Sequence, residues 1–157
     1  MAHYQTSFAT PTSVEAAFHY LSRFSTTAEW DPGVVEARDL TPDPVAVGSA
    51  FEVVSTFLGR RVPLRYEIIE FDAPNRVVLQ AESASVRSTD TIACQRGPDG
   101  STIVSYDAVL EPRGVARVLA PLFAVVFQRI GDRAARGLRT NVDRLAGADV
   151  GDAGQPA

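Results

Sequence analysis

The chain has 157 residues, of which 45% are hydrophobic, 22% charged and 8% aromatic; a domain of that length buries about 68–70% of the surface its unfolded chain exposes, enough for a core without disulfides. A single cysteine, Cys94, excludes an internal disulfide framework and a multi-cysteine zinc site. All fifteen basic residues are Arg, which removes Schiff-base and phosphate-loop lysine chemistry, and the net charge of −4 argues against a nucleic-acid binder held by phosphate contacts.

Residues 2–10 alternate loosely and are predicted to form a strand that Pro11 ends. Thr12-Ser13-Val14-Glu15 is a capping-box pattern, a hydroxyl at the cap and a carboxylate three residues on. Val14, Ala17, Phe18 and Leu21 follow at helical spacing, one apolar stripe on a short helix, with His19 off it. Ser25-Thr26-Thr27-Ala28-Glu29 caps a second short helix, stopped by Trp30-Asp31-Pro32-Gly33. Asp31 precedes a proline and is pushed toward extended backbone.

From Val34 to Pro112 the chain reads as strands near 34–40, 49–58, 61–71, 76–84, 86–95 and 101–111. Gly59-Arg60, Ala73-Pro74-Asn75 and Gly97-Pro98-Asp99-Gly100 supply the turns, and Pro42-Asp43-Pro44 a loop. Turns this short between successive strands imply an antiparallel meander.

Residues 115–145 are predicted to form a long helix, which Pro121 either kinks or opens. Val115–Ile130 is apolar nearly all round, yet too short and interrupted for a membrane span, which takes about 20 apolar residues. The second half carries Arg129, Arg133, Arg136 and Arg144 roughly along one side, a face expected to be solvated. Asp132–Arg136 and Arg139–Asp143 are spaced for local ion pairs. Residues 146–157, mostly Gly, Ala and Asp, are expected to be a disordered tail behind a single domain of residues 1–145.

The expected fold is therefore α+β, a curved seven-stranded antiparallel sheet wrapped around a long C-terminal helix, with two short helices after the first strand. Period-two sorting gives the five strands from residue 49 on an inward set each: Phe51, Val53, Ser55 and Phe57; Val62, Leu64, Tyr66 and Ile68; Val77, Leu79 and Ala81; Val86, Ser88, Asp90, Ile92 and Cys94; Val104, Tyr106, Ala108 and Leu110. The alternation breaks near Glu70-Phe71, where a bulge is expected. Register decides whether Asp90 or Asp107 faces inward, and this sorting chooses Asp90. An inward Asp needs a hydrogen-bond partner, solvent or a proton, and a few polar groups on an apolar wall also mark small-molecule pockets.

Motifs for nucleotide loops, zinc proteases, serine hydrolases and paired cysteines are absent. His3 and His19 are isolated, and Cys94 on an inward face reads as a small hydrophobe. No cofactor or metal is expected.

The element order resembles the START-like, or helix-grip, superfamily (SRPBCC), in its polyketide cyclase/dehydrase and lipid-transport group. The similarity rests on Ala9-Thr10-Pro11-Thr12-Ser13-Val14, on Phe24 through Glu29-Trp30-Asp31-Pro32-Gly33-Val34, on Val47-Gly48-Ser49, on Tyr66-Glu67-Ile68-Ile69-Glu70-Phe71-Asp72-Ala73-Pro74-Asn75-Arg76, and on the last helix. It covers residues 2–145. The resemblance implies a mostly apolar cavity between sheet and helix, with Trp30 at or near its mouth. Catalytic members of the superfamily commonly place Arg and Tyr in that cavity; here Tyr66 and Tyr106 are available, and Arg65 points inward only if its strand flips.

The leading expectation is a protein that binds or carries a small apolar ligand such as a lipid, a quinone or a polyketide-like molecule. Phe51, Val53, Leu64, Leu79, Ile92, Leu122, Val126 and Ile130 are the expected walls, and Tyr66, Asp90 and Tyr106 the groups that orient a polar end. The alternative is an aromatase/cyclase or dehydratase with Asp90 as general acid or base and Tyr66 or Tyr106 on an enolate oxygen. A third reading gives the apolar end of the last helix to protein contact. Nucleic acid and stable membrane insertion are not expected. A monomer or homodimer in the cytoplasm is.

Overall fold

Alternating side chains and tight turns lay residues 2–112 out as seven strands. They are β1 (Ala2–Thr10), β2 (Val34–Asp39), β3 (Ala50–Phe57), β4 (Arg60–Asp72), β5 (Arg76–Glu82), β6 (Val86–Arg96) and β7 (Thr102–Pro112). The computed structural model describes the backbone of residues 1–152 and the side chains of residues 1–148. All neighbouring strands are antiparallel, in the order β1-β7-β6-β5-β4-β3-β2, so the first strand closes onto the last and the meander runs away from it. The bulge expected near Glu70 is present, as a register shift against β5 between Ile68 and Glu70. The β3–β4 turn pivots on Leu58 and Gly59 instead of Gly59-Arg60, both with positive φ (49° and 75°) and with Phe57 opposite Arg60.

Two short helices fill the crossover from β1 to β2: α1 (Val14–Ser22), then a 3₁₀ turn at Phe24–Thr26 leading into α2 (Thr27–Trp30). The cap of α1 is Ser13, whose Oγ accepts from the Ala16 amide at 3.2 Å. Thr12 is free for a different task. Its buried hydroxyl donates to the Val142 carbonyl at 2.6 Å and ties this corner to the last helix. Ala17, Phe18 and Leu21 are buried as their spacing predicts, and His19 is exposed.

After β7 a 3₁₀ turn (Gly114–Leu119) feeds α3 (Ala120–Asp152). Pro121 thus lies in the first turn of the α-helix, where its missing N–H costs nothing. The helix continues past residue 145 to Asp152, so the predicted tail boundary is too early; Ala146 and Ala148 favour continued helix. The remainder of that predicted tail, residues 153–157, lies outside the described residues.

The two halves of α3 have roles opposite to those their composition suggests. The Arg-rich half supplies the core contacts, Ala134, Leu138 and Val142, four residues apart and at most 4% exposed. The apolar half leaves Leu122 and Val125 exposed, as the 3₁₀ turn before it leaves Val115, Val118 and Leu119. Its outer face has no element to pack against among the described residues, and its inner face spans open space over the sheet. Gly114–Ala148 is also long and apolar enough to cross a membrane by length and composition alone, contrary to the length argument above. Of the two predicted ion pairs on α3, Arg139–Asp143 forms at 3.9 Å, while Asp132 accepts from the Tyr4 hydroxyl at 3.3 Å.

Two glycines let α3 come down onto the sheet and α2. A Cβ at Gly131 would lie 2.3 Å from the Tyr4 ring, and one at Gly137 would lie 1.9 Å from the Trp30 carbonyl oxygen. Below this seam the core is continuous: Phe18, Leu21 and Phe24 meet Phe51, Ile68, Leu79, Ile92 and Leu138.

Candidate functional site

Beside that core, toward the start of α3, the sheet and helix separate around a cavity of about 240 Å³. β3 and β4 supply Ser55, Phe57, Val62, Leu64 and Tyr66; β6 and β7 supply Ser88, Asp90, Tyr106, Ala108 and Leu110. Phe123, Phe127, Ile130, Gly131 and Ala134 of α3 form the roof. Phe57 and Phe123 stack face to face with centroids 4.9 Å apart, closing one side. The volume lies at the small end for ligand pockets, which run to about 300–1,000 Å³.

The main polar cluster of the cavity lies on the sheet. Asp90 is 3% exposed and sits between two donors. The Tyr106 hydroxyl donates to its Oδ1 at 2.5 Å and the Ser88 hydroxyl to its Oδ2 at 3.0 Å. Tyr66 adds a looser contact to the same carboxyl and lies against Ser88. Burial pushes the Asp90 carboxyl up to about 6; the hydrogen bonds from Tyr106, Ser88 and Tyr66 pull the other way, and the charge of Asp31 adds to the rise. Burial, together with the neighbouring Asp90, lifts both phenols well above their ordinary range, so Tyr66 and Tyr106 stay protonated as donors. The cluster is therefore a carboxyl poised near neutral pH, held by hydroxyls in an apolar setting. Such a group can accept or release a proton or fix one polar end of a bound molecule.

Asp31 is a second acid on the cavity wall. Its Oδ1 accepts from the Gly33 amide at 2.7 Å, an Asx turn that ends the α2 corner. Burial raises its carboxyl too, against that hydrogen bond.

Of the predicted site residues, Leu64, Tyr66, Asp90, Tyr106 and Ile130 line the cavity. Phe51, Val53, Leu79 and Ile92 do not; they are at most 4% exposed and belong to the packed core, farther along the same inward faces. Period-two sorting identifies the inward face but not the point along it where the helix lifts away. Leu122 and Val126 are also displaced as wall residues. Leu122 is 48% exposed, and Phe123 and Phe127, one position on, take the inward face of α3. An all-round apolar helix gives no moment by which to choose. Trp30 is not at the mouth. It is 2% exposed, packed edge-on to Tyr106 with centroids 5.8 Å apart, beneath the helix at Gly137. Asp107 faces away from the cavity, its Oδ2 2.7 Å from His3 Nε2. Arg65 is exposed, and among the described residues no Arg lines the cavity.

Sequence reasoning missed Phe123, Phe127, Gly131 and Asp31. Gly131 and Gly137 inside α3 are the one usable signal, since each costs about 1 kcal/mol against Ala in a helix and so points to a close approach. Cys94, buried as expected, has its thiol pushed up to about 12 by that burial. Among the described residues no three His, Cys, Asp or Glu side chains gather as a metal site would require. A larger depression of about 430 Å³, between Met1, Arg87, Glu111, Arg113 and Arg117, opens broadly to solvent. Arg87 and Arg113 there are already paired with Glu82.

A family model described as "Polyketide cyclase / dehydrase and lipid transport" matches residues 1–143. No curated protein matches the chain in sequence. Among solved structures, a START superfamily protein from Mycobacterium smegmatis is similar, with a TM-score of 0.74 and 13% identity, over 92% of this chain and 99% of that one. A protein from Thermus thermophilus gives a TM-score of 0.73 at 15% identity, over 89% and 96%. The di-domain ARO/CYC StfQ from the steffimycin biosynthetic pathway gives 0.68 at 11%, over 93% of this chain and 52% of that one. At these identities the likeness to solved structures is one of fold.

Proposed function

The chain belongs to the polyketide cyclase/dehydrase and lipid transport family, and from that premise we propose that it binds a compact, mostly apolar molecule between the sheet and α3. The observation that carries this reading is the cavity itself: a partly open space of about 240 Å³ with Leu64, Phe123, Phe127 and Ile130 on its walls and a polar cluster around Asp90. A well-packed core of this size leaves few voids larger than a water molecule. The apolar walls bury the body of the ligand, while Tyr66, Asp90 and Tyr106 fix its polar end. Trp30, the sole tryptophan, lies against the back of Tyr106 and reports on occupancy. The test is mild-ionisation mass spectrometry of the purified protein with a thermal-shift screen of lipids, quinones and aromatic polyketides. Retention of a stoichiometric small molecule, or a saturable rise in melting temperature with quenching of Trp30, supports the reading. Absence of both across the screen counts against it.

A second reading is enzymatic, and the proton poise of Asp90 favours it. A carboxylate at that site can take an acidic proton from the carbon between two carbonyls of a polyketide-like chain, and the phenols of Tyr66 or Tyr106 can donate to the enolate oxygen that forms. The enolate carbon attacks a second carbonyl carbon of the chain, forming the ring C–C bond as that C=O π bond breaks, and the protonated carboxyl gives its proton to the resulting alkoxide; a second α-proton taken by the carboxylate and passed to the departing hydroxyl then expels water and leaves the carboxylate as it began. Turnover of a reactive polyketone that is lost in Asp90→Asn and Tyr106→Phe supports this chemistry; turnover unchanged in both removes it.

A further inference from the structure

We infer that the cavity selects an apolar molecule bearing a protonated nitrogen and rejects an apolar acid of the same shape. This rests on the proposed binding of a small molecule in that cavity. The ionisable groups on its wall are the carboxyls of Asp31 and Asp90 and the phenols of Tyr4, Tyr66 and Tyr106; among the described residues no Arg or His faces them. Neither carboxyl has an ion-pair partner among those residues, although the chain forms such pairs freely on its surface, for example Arg38–Glu52 and Arg61–Glu36.

The hydrogen-bond directions point the same way. Tyr106 and Ser88 aim their hydroxyl protons at Asp90, and the Gly33 amide aims its proton at Asp31. Each carboxyl has further acceptor capacity, since an ionised carboxylate offers about four lone-pair sites. An ammonium group entering the cavity finds acceptors and a compensating charge, which is the condition for burying a cation. A carboxylate entering the same space meets two acids. The donors left to it, the hydroxyls of Ser55, Thr56 and Tyr66, are all neutral, so nothing on the wall supplies the positive charge that would compensate it. An apolar alcohol has neither the gain nor the penalty.

Three probes with one skeleton separate these cases: 2-naphthylmethylamine, 2-naphthylmethanol and 2-naphthoate, titrated into the full chain at pH 7.5 and read by Trp30 fluorescence and calorimetry. The expected order is amine, then alcohol, then acid, with the amine tighter than the acid by about tenfold or more. Asp31→Asn and Asp90→Asn should each pull the amine-to-acid ratio toward one. Binding of the acid equal to or tighter than the amine in the unmodified protein overturns the inference while leaving the cavity reading in place. Failure of all three to bind at millimolar concentration overturns the cavity reading and the inference with it. The wild-type series needs no variant to fold, so the inference stands or falls on it alone.

Discussion

The Asp90 proton should contribute stability to the folded protein in mild acid that is lost at neutral pH, and Asp90→Asn should remove that contribution. In the folded chain the carboxyl is raised from its ordinary 3.8 to about 6, chiefly by burial. The native state therefore holds the proton more tightly than the unfolded chain does. The stability linked to this proton is complete only well below the unfolded value of 3.8, at about pH 3, and is lost as pH rises through about 6. At 1.36 kcal/mol per pH unit, the gap between the two values amounts to about 3 kcal/mol. Urea unfolding of the wild type and of Asp90→Asn between pH 3.5 and 8 measures it. Asparagine keeps an acceptor for the Tyr106 hydroxyl, so the variant retains the local packing, and acids common to both proteins largely cancel in the difference. Wild-type stability minus variant stability should fall by roughly 2 kcal/mol or somewhat more between pH 4 and pH 7 and stay level above that. A difference that is flat, or that rises with pH, would mean that Asp90 is ionised at little cost and would refute the reasoning about its burial.

Tyr106→Phe removes a hydrogen bond that holds the Asp90 carboxyl down, so the midpoint of that same pH profile should move upward; an unmoved midpoint would mean that the 2.5 Å contact carries no weight in the proton balance. Gly137→Ala should destabilise by about 1–3 kcal/mol or more, because the added methyl meets backbone at Trp30 and not a yielding side chain. Gly147→Ala, with nothing near its Cβ, should instead gain up to about 1 kcal/mol, and thermal denaturation of the two variants reads both signs. Phe123→Ala and Phe127→Ala should each weaken binding of a cavity ligand by about tenfold or more, whereas Leu122→Ala should leave it within about twofold in the same titration. Equal losses at Phe123 and Leu122 would place the ligand outside the cavity.

The antiparallel meander, the inward faces of β3 to β7 and the bulge near Glu70 were legible because short turns join successive strands and a period of two is strongly enforced wherever one side of a sheet is buried. That is why Asp90, Tyr66 and Tyr106 could be named together from spacing alone, and why Asp107 could be set aside. The roof was not legible. From Val115 to Ile130 the helix is apolar on every side, so Phe123 and Leu122 look alike until the helix is set over the sheet. Nor does spacing say where a sheet and a helix diverge: Phe51 and Leu64 carry the same inward signature, yet one is packed and the other faces open space. Trp30 was misplaced because its position depends on a contact with Gly137, more than a hundred residues away. Asp31 reads as turn chemistry, which it is, and its second role at the cavity wall comes from long-range packing.

The claim that a small molecule occupies the space beneath Phe123 and Phe127 is tested most directly by a crystal structure of the protein bound to the tightest compound from the ligand screen. The account predicts density enclosed by the sheet and α3, its polar end within hydrogen-bonding distance of Asp90, Tyr66 or Tyr106 and its body against Phe127. Density lying instead on the exposed Val118, Leu122 and Val125 face, with the cavity unfilled while binding in solution saturates, would contradict it.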